Sequence, residues 1–327
     1  MKVLVTGGTG FVGSQIVAAL VRRGDSVRVL HRAASNLIMV EGLPVEHFLG
    51  DVLEPEAVAR AVAGCDLVFH VAAVASYWRA QRKQLYQVNV EGTRIVMEAC
   101  LAAGVPRVVH TSSVAAIGIP RDGRPADEGA TFDAFSATFA YADSKHRAED
   151  VVLQSVTRGL PAVIVNPGAV YGAGDHNLIS GSMVLELARR SVPFVPNGGL
   201  CVVDADAVVQ GHLAASERGR IGERYILGGE NLTLLEIATE ICAVVGRRAP
   251  CAAVPAWTLP PAALAVDAVN RLRLGPPVVS GEQIRLAGLK VFYDSTKAER
   301  ELNYPLLPFR GAVEKTYRWY REHGYLN

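Results

Sequence analysis

A glycine-rich segment at residues 6–13, Thr-Gly-Gly-Thr-Gly-Phe-Val-Gly, constrains the fold of this 327-residue chain more than any other feature. It fits both G-x-G-x-x-G and G-x-x-G-x-x-G, and it stands between a β-branched run at residues 2–6 and an amphipathic helical pattern at residues 11–23. Glycines in such a strand–turn–helix let the backbone approach a pyrophosphate, and the helix N-terminus offers N–H donors to it. The segment therefore predicts a dinucleotide-binding turn whose cofactor contacts are Gly7, Gly10, Phe11, Val12 and Gly13.

Short apolar runs and helical patterns alternate through the first half of the chain. The predicted strands are residues 2–6, 26–31, 45–49, 67–71, 107–112 and 162–166. The predicted helices between them are residues 11–23, 56–62, 85–103 and 141–158. Strands that are apolar throughout and are joined by helices predict an α/β fold with a doubly wound parallel sheet, the Rossmann arrangement.

The pattern changes after Pro167, where glycine, proline and helical segments become frequent. Helices are predicted at residues 178–190, 204–216, 234–245 and 309–323, and Thr233 and Glu236 form a capping box that opens the third of them. We therefore predict a dinucleotide-binding domain at residues 1–170, with elements returning to it around residues 200–230. Residues 171–327 are predicted to form a smaller, mostly helical C-terminal lobe, which binds the substrate and is interleaved with the first domain.

The end of the second predicted strand distinguishes between two cofactors. An acidic side chain at this position accepts a hydrogen bond from the ribose 2′-hydroxyl of NAD and repels a 2′-phosphate. Here the strand ends in His31 and Arg32, and the next acid is Glu41. Because a guanidinium can bind a phosphate through two hydrogen bonds, the sequence favours NADP(H) over NAD(H); the alternative is that Arg32 is solvated surface. Asp51 and Val52, after the third strand, are expected beside the adenine.

Tyr141 and Lys145 stand at the start of a predicted helix and, being four residues apart, share one face of it. A nearby ammonium lowers the pKa of a tyrosine, which would let Tyr141 exchange a proton with a carbonyl or alcohol oxygen near neutral pH. Ser112 and Ser113 end the fifth strand at the carboxyl edge of the sheet, where a hydroxyl can orient that oxygen. Residues 293–297 repeat the Tyr-x-x-x-Lys spacing, but no serine-bearing strand precedes them, and we interpret this copy as coincidence.

Together these motifs resemble the extended short-chain dehydrogenase/reductases over nearly the whole chain. The matching segments are residues 6–13, Asp51-Val52, His70-Val-Ala-Ala73, Asn89-Val-Glu-Gly-Thr93, His110-Thr-Ser-Ser113, Tyr141–Lys145 and Asn166-Pro167. Within that superfamily the chain is most similar to dihydroflavonol 4-reductase-like proteins. It is closer still to bacterial proteins called hopanoid-associated sugar epimerases, through residues 89–93 and 218–233. The resemblance implies a catalytic trio of Ser113, Tyr141 and Lys145, with Tyr141, Lys145, Ala72, Ala73 and Pro167 against the cofactor. It also implies a homodimer formed through the helices at residues 85–103 and 141–158.

The substrate class is open to two interpretations. Nucleotide-sugar enzymes of the superfamily usually carry an arginine after a glycine-rich turn, where it anchors the substrate diphosphate, but residues 196–208 contain no arginine. Apolar residues of the lobe suit an aromatic or aliphatic molecule instead; they are Val184, Leu187, Phe194, Trp257 and Leu259. The candidate substrate contacts are Tyr77, Trp78, Tyr171 and His176.

The leading hypothesis is therefore an NADP(H)-dependent oxidoreductase that acts on a hydrophobic small molecule. It would reduce a ketone or aldehyde, or oxidise the corresponding alcohol, with Tyr141 as the proton donor or acceptor. An NAD-dependent nucleotide-sugar 4-epimerase is the first alternative. A non-catalytic NADP-binding regulator is the second.

The charge balance and the cysteine pattern narrow the classes of partner, metal site and cellular location that are expected for this protein. Lys+Arg 33 against Asp+Glu 32 gives a formal net charge of +1, which gives no reason to expect nucleic acid as a partner. The five cysteines are scattered and never form a C-x-x-C pair, so we expect reduced thiols, no metal site and a cytoplasmic protein.

His70 and His110 are interpreted as packed or cofactor-adjacent side chains rather than metal ligands. Prolines interrupt the uncharged residues 249–266, so we expect no spanning helix there, while contact with a membrane surface stays open.

Overall fold

A computed structural model gives the architecture of the protein and describes residues 1–75, 82–120, 122–271 and 280–326. Within these ranges seven strands form one parallel sheet: β1 (Lys2–Thr6), β2 (Ser26–His31), β3 (Glu46–Leu49), β4 (Leu67–His70), β5 (Val108–Thr111), β6 (Ala162–Pro167) and β10 (Arg224–Leu227). Their order is β10-β6-β5-β4-β1-β2-β3. Because β1 pairs with β2 on one side and with β4 on the other, the winding reverses beside β1 and opens a crevice at the carboxyl edge of the sheet. The predicted doubly wound sheet is confirmed.

Helices cover both faces of this sheet, which explains why its strands are apolar throughout. Among the described residues the helices are α1 (Phe11–Arg22), α2 (Pro55–Val62), α3 (Arg82–Tyr86), α4 (Gly92–Ala102), α5 (Ala140–Thr157), α6 (Ser182–Arg189), α7 (Ala205–Arg218), α8 (Leu234–Val245), α9 (Leu259–Arg271), α10 (Gly281–Leu286), α11 (Thr296–Leu302) and α12 (Phe309–Glu322). One face packs against α1 and α7, and the other packs against α2, α4 and α5. Along β1, Val3 and Val5 face the first group of helices and Leu4 faces the second, as strand alternation requires.

The long helix predicted at residues 85–103 is divided in the structure. A π-helical turn at Gln87–Glu91 separates α3 from α4. Asn89 lies in this turn, and its side-chain amide accepts from the Val74 backbone nitrogen at 2.8 Å and donates to the Val74 carbonyl at 3.0 Å. The turn thus ties the helix to the segment that follows β4. Apolar periodicity does not reveal such a turn, because the helical pattern resumes directly after it.

The C-terminal lobe contains more β-structure than the sequence pattern indicated. Its strands are β7 (Ala169–Tyr171), β8 (Phe194–Pro196), β9 (Gly199–Asp204), β11 (Glu230–Thr233), β12 (Ala252–Val254) and β13 (Lys290–Val291). β9 pairs with β7, β11 and β13, and β8 pairs with β12. The predicted capping box is confirmed, since Glu236 N donates to Thr233 Oγ1 at 3.2 Å and Thr233 N donates to Glu236 Oε2 at 2.7 Å. Most strands of the C-terminal lobe are too short to show an alternating apolar pattern in the sequence.

The helix expected from residue 178 begins instead at Ser182. The carboxylate of the buried Asp175 accepts hydrogen bonds from the backbone nitrogens of Ile179 at 3.1 Å and Gly181 at 2.9 Å. These bonds hold the preceding residues as a loop. The boundary therefore depends on one carboxylate rather than on helical propensity.

α9 is a helix that the sequence pattern did not predict. Pro260 and Pro261 argued against a spanning helix, and they lie in the first turn of α9, where the missing N–H groups would have no helical partner. None of the helices in the described ranges combines the length and the apolar character that crossing a bilayer requires. The five cysteines are free thiols, of which Cys251 is exposed and the others are buried.

Candidate active site

The glycine-rich turn lies between β1 and α1 and lines the main cleft. Gly7 has φ +69°, in the left-handed region, and its carbonyl accepts from Gly10 N at 3.0 Å. A Cβ at Gly7 would come within 2.6 Å of the Ala72 backbone nitrogen, so the turn meets the end of β4 without room for a side chain. α1 begins beside the cleft at Phe11, and its first backbone N–H groups have no acceptor within the helix. The turn therefore fits a bound pyrophosphate.

The cleft has a volume of about 590 Å³ and follows the carboxyl edge of the sheet. It is lined by every residue that the sequence predicted as a cofactor contact: Gly7, Gly10, Phe11, Val12, Gly13, His31, Arg32, Asp51, Val52, Ala72, Ala73, Tyr141, Lys145 and Pro167. Ser113 and His176 line it as well. These residues lie at the carboxyl ends of β1 to β6 or in the loops and helices that follow them, and the parallel sheet brings them to one edge.

His31 and Arg32 lie where the cleft passes the end of β2. His31 Nδ1 is 3.1 Å from the Arg32 carbonyl, which can only accept, so Nδ1 carries the proton. His31 Nε2 is 3.2 Å from His47 Nδ1, so this nitrogen also has a hydrogen-bond partner. Both nitrogens of His31 are thus engaged, and the exposed Arg32 side chain is the cation at this end of the cleft.

Ser113, Tyr141 and Lys145 meet where β5 ends. The Ser113 hydroxyl is hydrogen-bonded to the Tyr141 phenol, and Ser113 Oγ also accepts from Ala115 N at 3.3 Å. Lys145 is 3% exposed, and its ammonium donates to the Thr111 carbonyl at 2.8 Å. The structure therefore brings together the hydroxyl, phenol and ammonium that the resemblance implied.

Burial dominates the proton affinities of these groups. It lowers the pKa of Lys145 to about 8, with the charge of Glu149 acting in the opposite direction. It raises the pKa of Tyr141, with the hydrogen bond from Ser113 acting in the opposite direction. The expectation that Lys145 lowers the Tyr141 pKa is corrected here, because the ammonium is bound to the Thr111 carbonyl and the phenol is desolvated.

A buried carboxylate lies one helical turn beyond Lys145. Glu149 is 1% exposed, accepts from Asn166 Nδ2 at 2.6 Å and pairs with Arg224 Nη1 at 3.3 Å. The same Asn166 nitrogen donates to the Ser113 carbonyl at 2.9 Å. Glu149 thereby joins α5 to β6 and β10 beneath the site. Sequence reasoning missed this residue, although an acid four positions after Lys145 on one helix face was a visible signal.

His70 is fixed in one tautomer by a chain of hydrogen bonds beneath the cleft. Thr93 Oγ1 donates to the Asn89 carbonyl at 2.6 Å, so it accepts from His70 Nε2 at 3.0 Å. His70 Nδ1 then accepts from Thr6 Oγ1 at 2.7 Å, and Thr6 Oγ1 in turn accepts from Ala72 N at 3.3 Å. Burial lowers the pKa of His70 to about 3, so the ring stays neutral. This chain holds Ala72 against the glycine turn.

The candidate substrate residues have different positions. His176 lines the cleft, with Nδ1 3.2 Å from the Gly174 carbonyl. Tyr171 is 2% exposed and packs edge-on against Phe309 at 5.0 Å in the core of the lobe. The expectation that Tyr171 contacts the substrate is corrected, because alternation along β7 turns its neighbour Val170 towards the cleft instead. Tyr77 and Trp78 lie outside the described residues.

The apolar residues expected around a substrate do not line the cleft formed by the described residues. Val184 and Leu187 are buried in the core of the lobe, and Leu259 is buried at the start of α9. Phe194 and Trp257 face solvent, with 53% and 77% of their surface exposed. Lining residues that the sequence did not point to include Val74, Ala75, Gln84, Val170, Ile179 and Ser180. No periodic pattern marks these positions.

Residues 3–228, which span the parallel sheet and the helices on both faces, match the NAD dependent epimerase/dehydratase family. The chain is 37% identical over 328 residues to a Synechocystis protein named putative dihydroflavonol 4-reductase, covering 98% of this chain and 95% of that one. It is 36% identical over 330 residues to sterol demethylase protein B of Methylococcus capsulatus, covering 99% of each. A nucleoside-diphosphate-sugar epimerase from Pseudomonas aeruginosa has a similar structure, with a TM-score of 0.82, 28% identity, and coverage of 100% of this chain and 99% of that one.

Proposed function

This chain belongs to the NAD-dependent epimerase/dehydratase family and is an NAD(P)-dependent oxidoreductase, and we propose that it uses NADP(H) to interconvert a carbonyl and an alcohol on a hydrophobic small molecule. The observation that carries the proposal is the convergence of Ser113, Tyr141 and Lys145 beside the glycine turn. When bound, the nicotinamide supplies or accepts the hydride.

The protein's own residues handle the proton and the orientation of the substrate. The Ser113 hydroxyl, which is hydrogen-bonded to Tyr141, orients the substrate oxygen, and the Tyr141 phenol gives it a proton in the reducing direction. The raised pKa of Tyr141 supports this role, because the phenol is protonated at neutral pH and ready to donate. Lys145, whose side chain lines the same cleft, offers a donor to the nicotinamide ribose.

The preference for NADP(H) rests on Arg32. Its exposed guanidinium lies at the cleft where β2 ends, and the chain has no Asp or Glu at the end of this strand. Asp51 also lines the cleft, but its Oδ1 accepts from Leu53 N at 3.0 Å, so that oxygen is committed to the local turn. A guanidinium without a competing carboxylate favours a 2′-phosphate over a 2′-hydroxyl.

A nucleotide-sugar substrate has less support. Its diphosphate needs cationic partners in a closed site. Of the described residues that line the cleft, the arginine and lysine side chains are Arg32, at the β2 end, and Lys145, which is bound to Thr111. Two relatives carry names that refer to dihydroflavonols and sterols, which are ring molecules without phosphate, and this supports a hydrophobic substrate. A purely regulatory role has less support because the catalytic trio is complete.

The substrate class is tested by measuring NADPH and NADH oxidation with aryl and alkyl ketones, aldehydes and UDP-sugars. We expect turnover of ketones or aldehydes with NADPH preferred. The Arg32→Asp variant should lose about tenfold or more of that preference, since a charge-assisted hydrogen bond contributes about 1.5–3 kcal/mol. Conversion of a UDP-sugar without net consumption of cofactor would contradict the proposal and favour an epimerase.

The role of the phenol is tested with Tyr141→Phe. We expect kcat to fall about 100-fold or more, as general acid catalysis typically contributes, while NADPH still binds with its original Kd. Tyr293→Phe is the matched control, because Tyr293 also precedes a lysine by four residues and its buried hydroxyl donates to the Gly118 carbonyl at 2.7 Å. Equal losses in the two variants would refute the assignment of Tyr141.

A further inference from the structure

α9 presents an apolar face to solvent. Leu264 is 69% exposed and Val269 is 52% exposed, and Trp257, directly before the helix, is 77% exposed. The exposed residues at this surface, which we call the α9 outer face, are Trp257, Pro261, Leu264, Ala265, Ala268 and Val269. Their spacing places the helical members on one side of α9. A surface helix normally has the opposite arrangement, with its polar side outward.

Polar contacts on the inner side hold α9 in this orientation. Asp267 points inward, where Oδ1 accepts from Gly281 N at 3.0 Å and Oδ2 pairs with Arg285 Nη1 at 3.4 Å. Ala263 is fully buried on the same side of the helix. Rolling the helix over would break these bonds and leave the Gly281 N–H and the Arg285 guanidinium without their carboxylate partner, which is costly. The outward apolar face is therefore fixed by the fold.

The charged residues near the α9 outer face indicate which kind of partner would cover it. Residues 249–266 contain no charged side chain. The exposed Arg247 and Arg248 precede this run, and Arg271 is the last residue of α9, whereas the one acid of the helix, Asp267, is turned inward. Helices that lie in a membrane interface combine Trp and Leu on an apolar face with basic residues that meet anionic headgroups.

The apolar surface continues onto the neighbouring strand pair. β8 pairs with β12 so that Phe194 lies opposite Ala252, and both residues are exposed. Ala252 follows Arg248 by four residues along the chain, and both residues are exposed. Exposed apolar side chains with exposed arginines close by in the chain match an anionic bilayer better than a neutral apolar partner.

We propose that the α9 outer face docks the protein onto an anionic lipid bilayer, with α9 in the plane of the interface. Trp257, Leu264 and Val269 enter the boundary between headgroups and acyl chains, and Arg247 and Arg248 contact the headgroups. Docking of this kind is peripheral and reversible. It is separate from the proposed reaction and does not depend on it.

The test uses the full chain and vesicles of phosphatidylcholine with or without phosphatidylglycerol, followed by flotation. We expect binding to the anionic vesicles, together with a blue shift of tryptophan emission that Trp257→Phe abolishes. The double variant Leu264→Ser/Val269→Ser should bind at least about tenfold more weakly, because two large apolar side chains no longer enter the bilayer.

Ile221→Ser/Leu306→Ser is the matched control, because Ile221 and Leu306 are 54% and 53% exposed away from α9. This control should float like the parent protein, and circular dichroism should be the same for all variants. Equal weakening of both double variants would overturn the proposal. Absence of vesicle binding would also overturn it, and a dimer in solution that Leu264→Ser/Val269→Ser dissociates would then identify a second copy as the occupant.

Discussion

Replacing Glu149 with glutamine tests whether the buried carboxylate sets the charge state of Lys145. Glutamine keeps an oxygen for Asn166 Nδ2, which donates to Glu149 Oε1 at 2.6 Å, so the packing beneath the site is retained while the negative charge is removed. Arg224, which pairs with Glu149, has a side chain that is 25% exposed and can be rehydrated. The substitution therefore isolates the electrostatic effect on Lys145.

The size of the effect follows from the helix geometry. Side chains four residues apart on a helix are about 5–6 Å apart at Cβ, and two unit charges at about 6 Å in an effective dielectric of about 20 interact by about 2.8 kcal/mol. Arg224, 3.3 Å from the Glu149 carboxylate, cancels part of that field. We expect the pKa of Lys145, which burial lowers to about 8, to fall by about one further unit in Glu149→Gln.

The assay is the pH profile of kcat/KM for NADPH, which reports the free enzyme. If the charged ammonium is required, the alkaline limb moves to lower pH, with about a fivefold loss near pH 8 and little change near pH 6. Glu128→Gln is the control, since Glu128 accepts from Ile226 N on β10 at 2.8 Å and does not line the cleft. An unchanged or higher alkaline pKa in Glu149→Gln would refute the electrostatic link.

Two further predictions concern the cleft floor and the buried imidazoles. Gly7→Ala should weaken NADPH binding tenfold or more, because the added Cβ would lie 2.6 Å from Ala72 N. The control is Gly24→Ala, which has φ +87° and open space around it and should cost only about 1 kcal/mol of stability. Equal Kd values of the two variants for NADPH would contradict this prediction. Burial lowers the pKa of His70 to about 3 and that of His212 to about 4. As pH falls below about 6.5, these histidines take up protons in the unfolded chain but not yet in the folded protein, so the free energy of unfolding decreases. Each ring should contribute about 2.5 kcal/mol of that loss by roughly pH 4.5, measured by urea unfolding, and a stability that stays level over this range would contradict the assignment of neutral buried rings.

Features that depend on neighbouring residues were predictable from sequence. The glycine turn between β1 and α1 and the four-residue spacing of Tyr141 and Lys145 are set by backbone conformation and helix periodicity. For the same reason the predicted cofactor residues all line one cleft, since each follows a strand of a parallel sheet whose carboxyl ends share an edge.

Features that depend on distant partners were not predictable. None of the predicted strands included Tyr171, and the sequence did not show that β7, paired with β9, would place this side chain in the core against Phe309. The helix expected from residue 178 is shortened by the Asp175 carboxylate, whose bonding role has no sequence signature. The homodimer through α4 and α5 stays a prediction, and the side chains that face solvent there include the charged Glu98, Arg147 and Asp150.

The sequence by itself determined the parallel sheet, the phosphate-binding turn and the phenol–ammonium pair, because each follows from short-range steric rules and from the period of a helix or strand. Only the tertiary structure decided that Glu149 pairs with Arg224 below the site, that His31 is engaged on both nitrogens, and that α9 turns its apolar side outward. The physical reason is that burial and pairing are properties of packing. The dielectric surroundings and the partners of a side chain are set by elements far away in the chain, and local sequence patterns do not predict them.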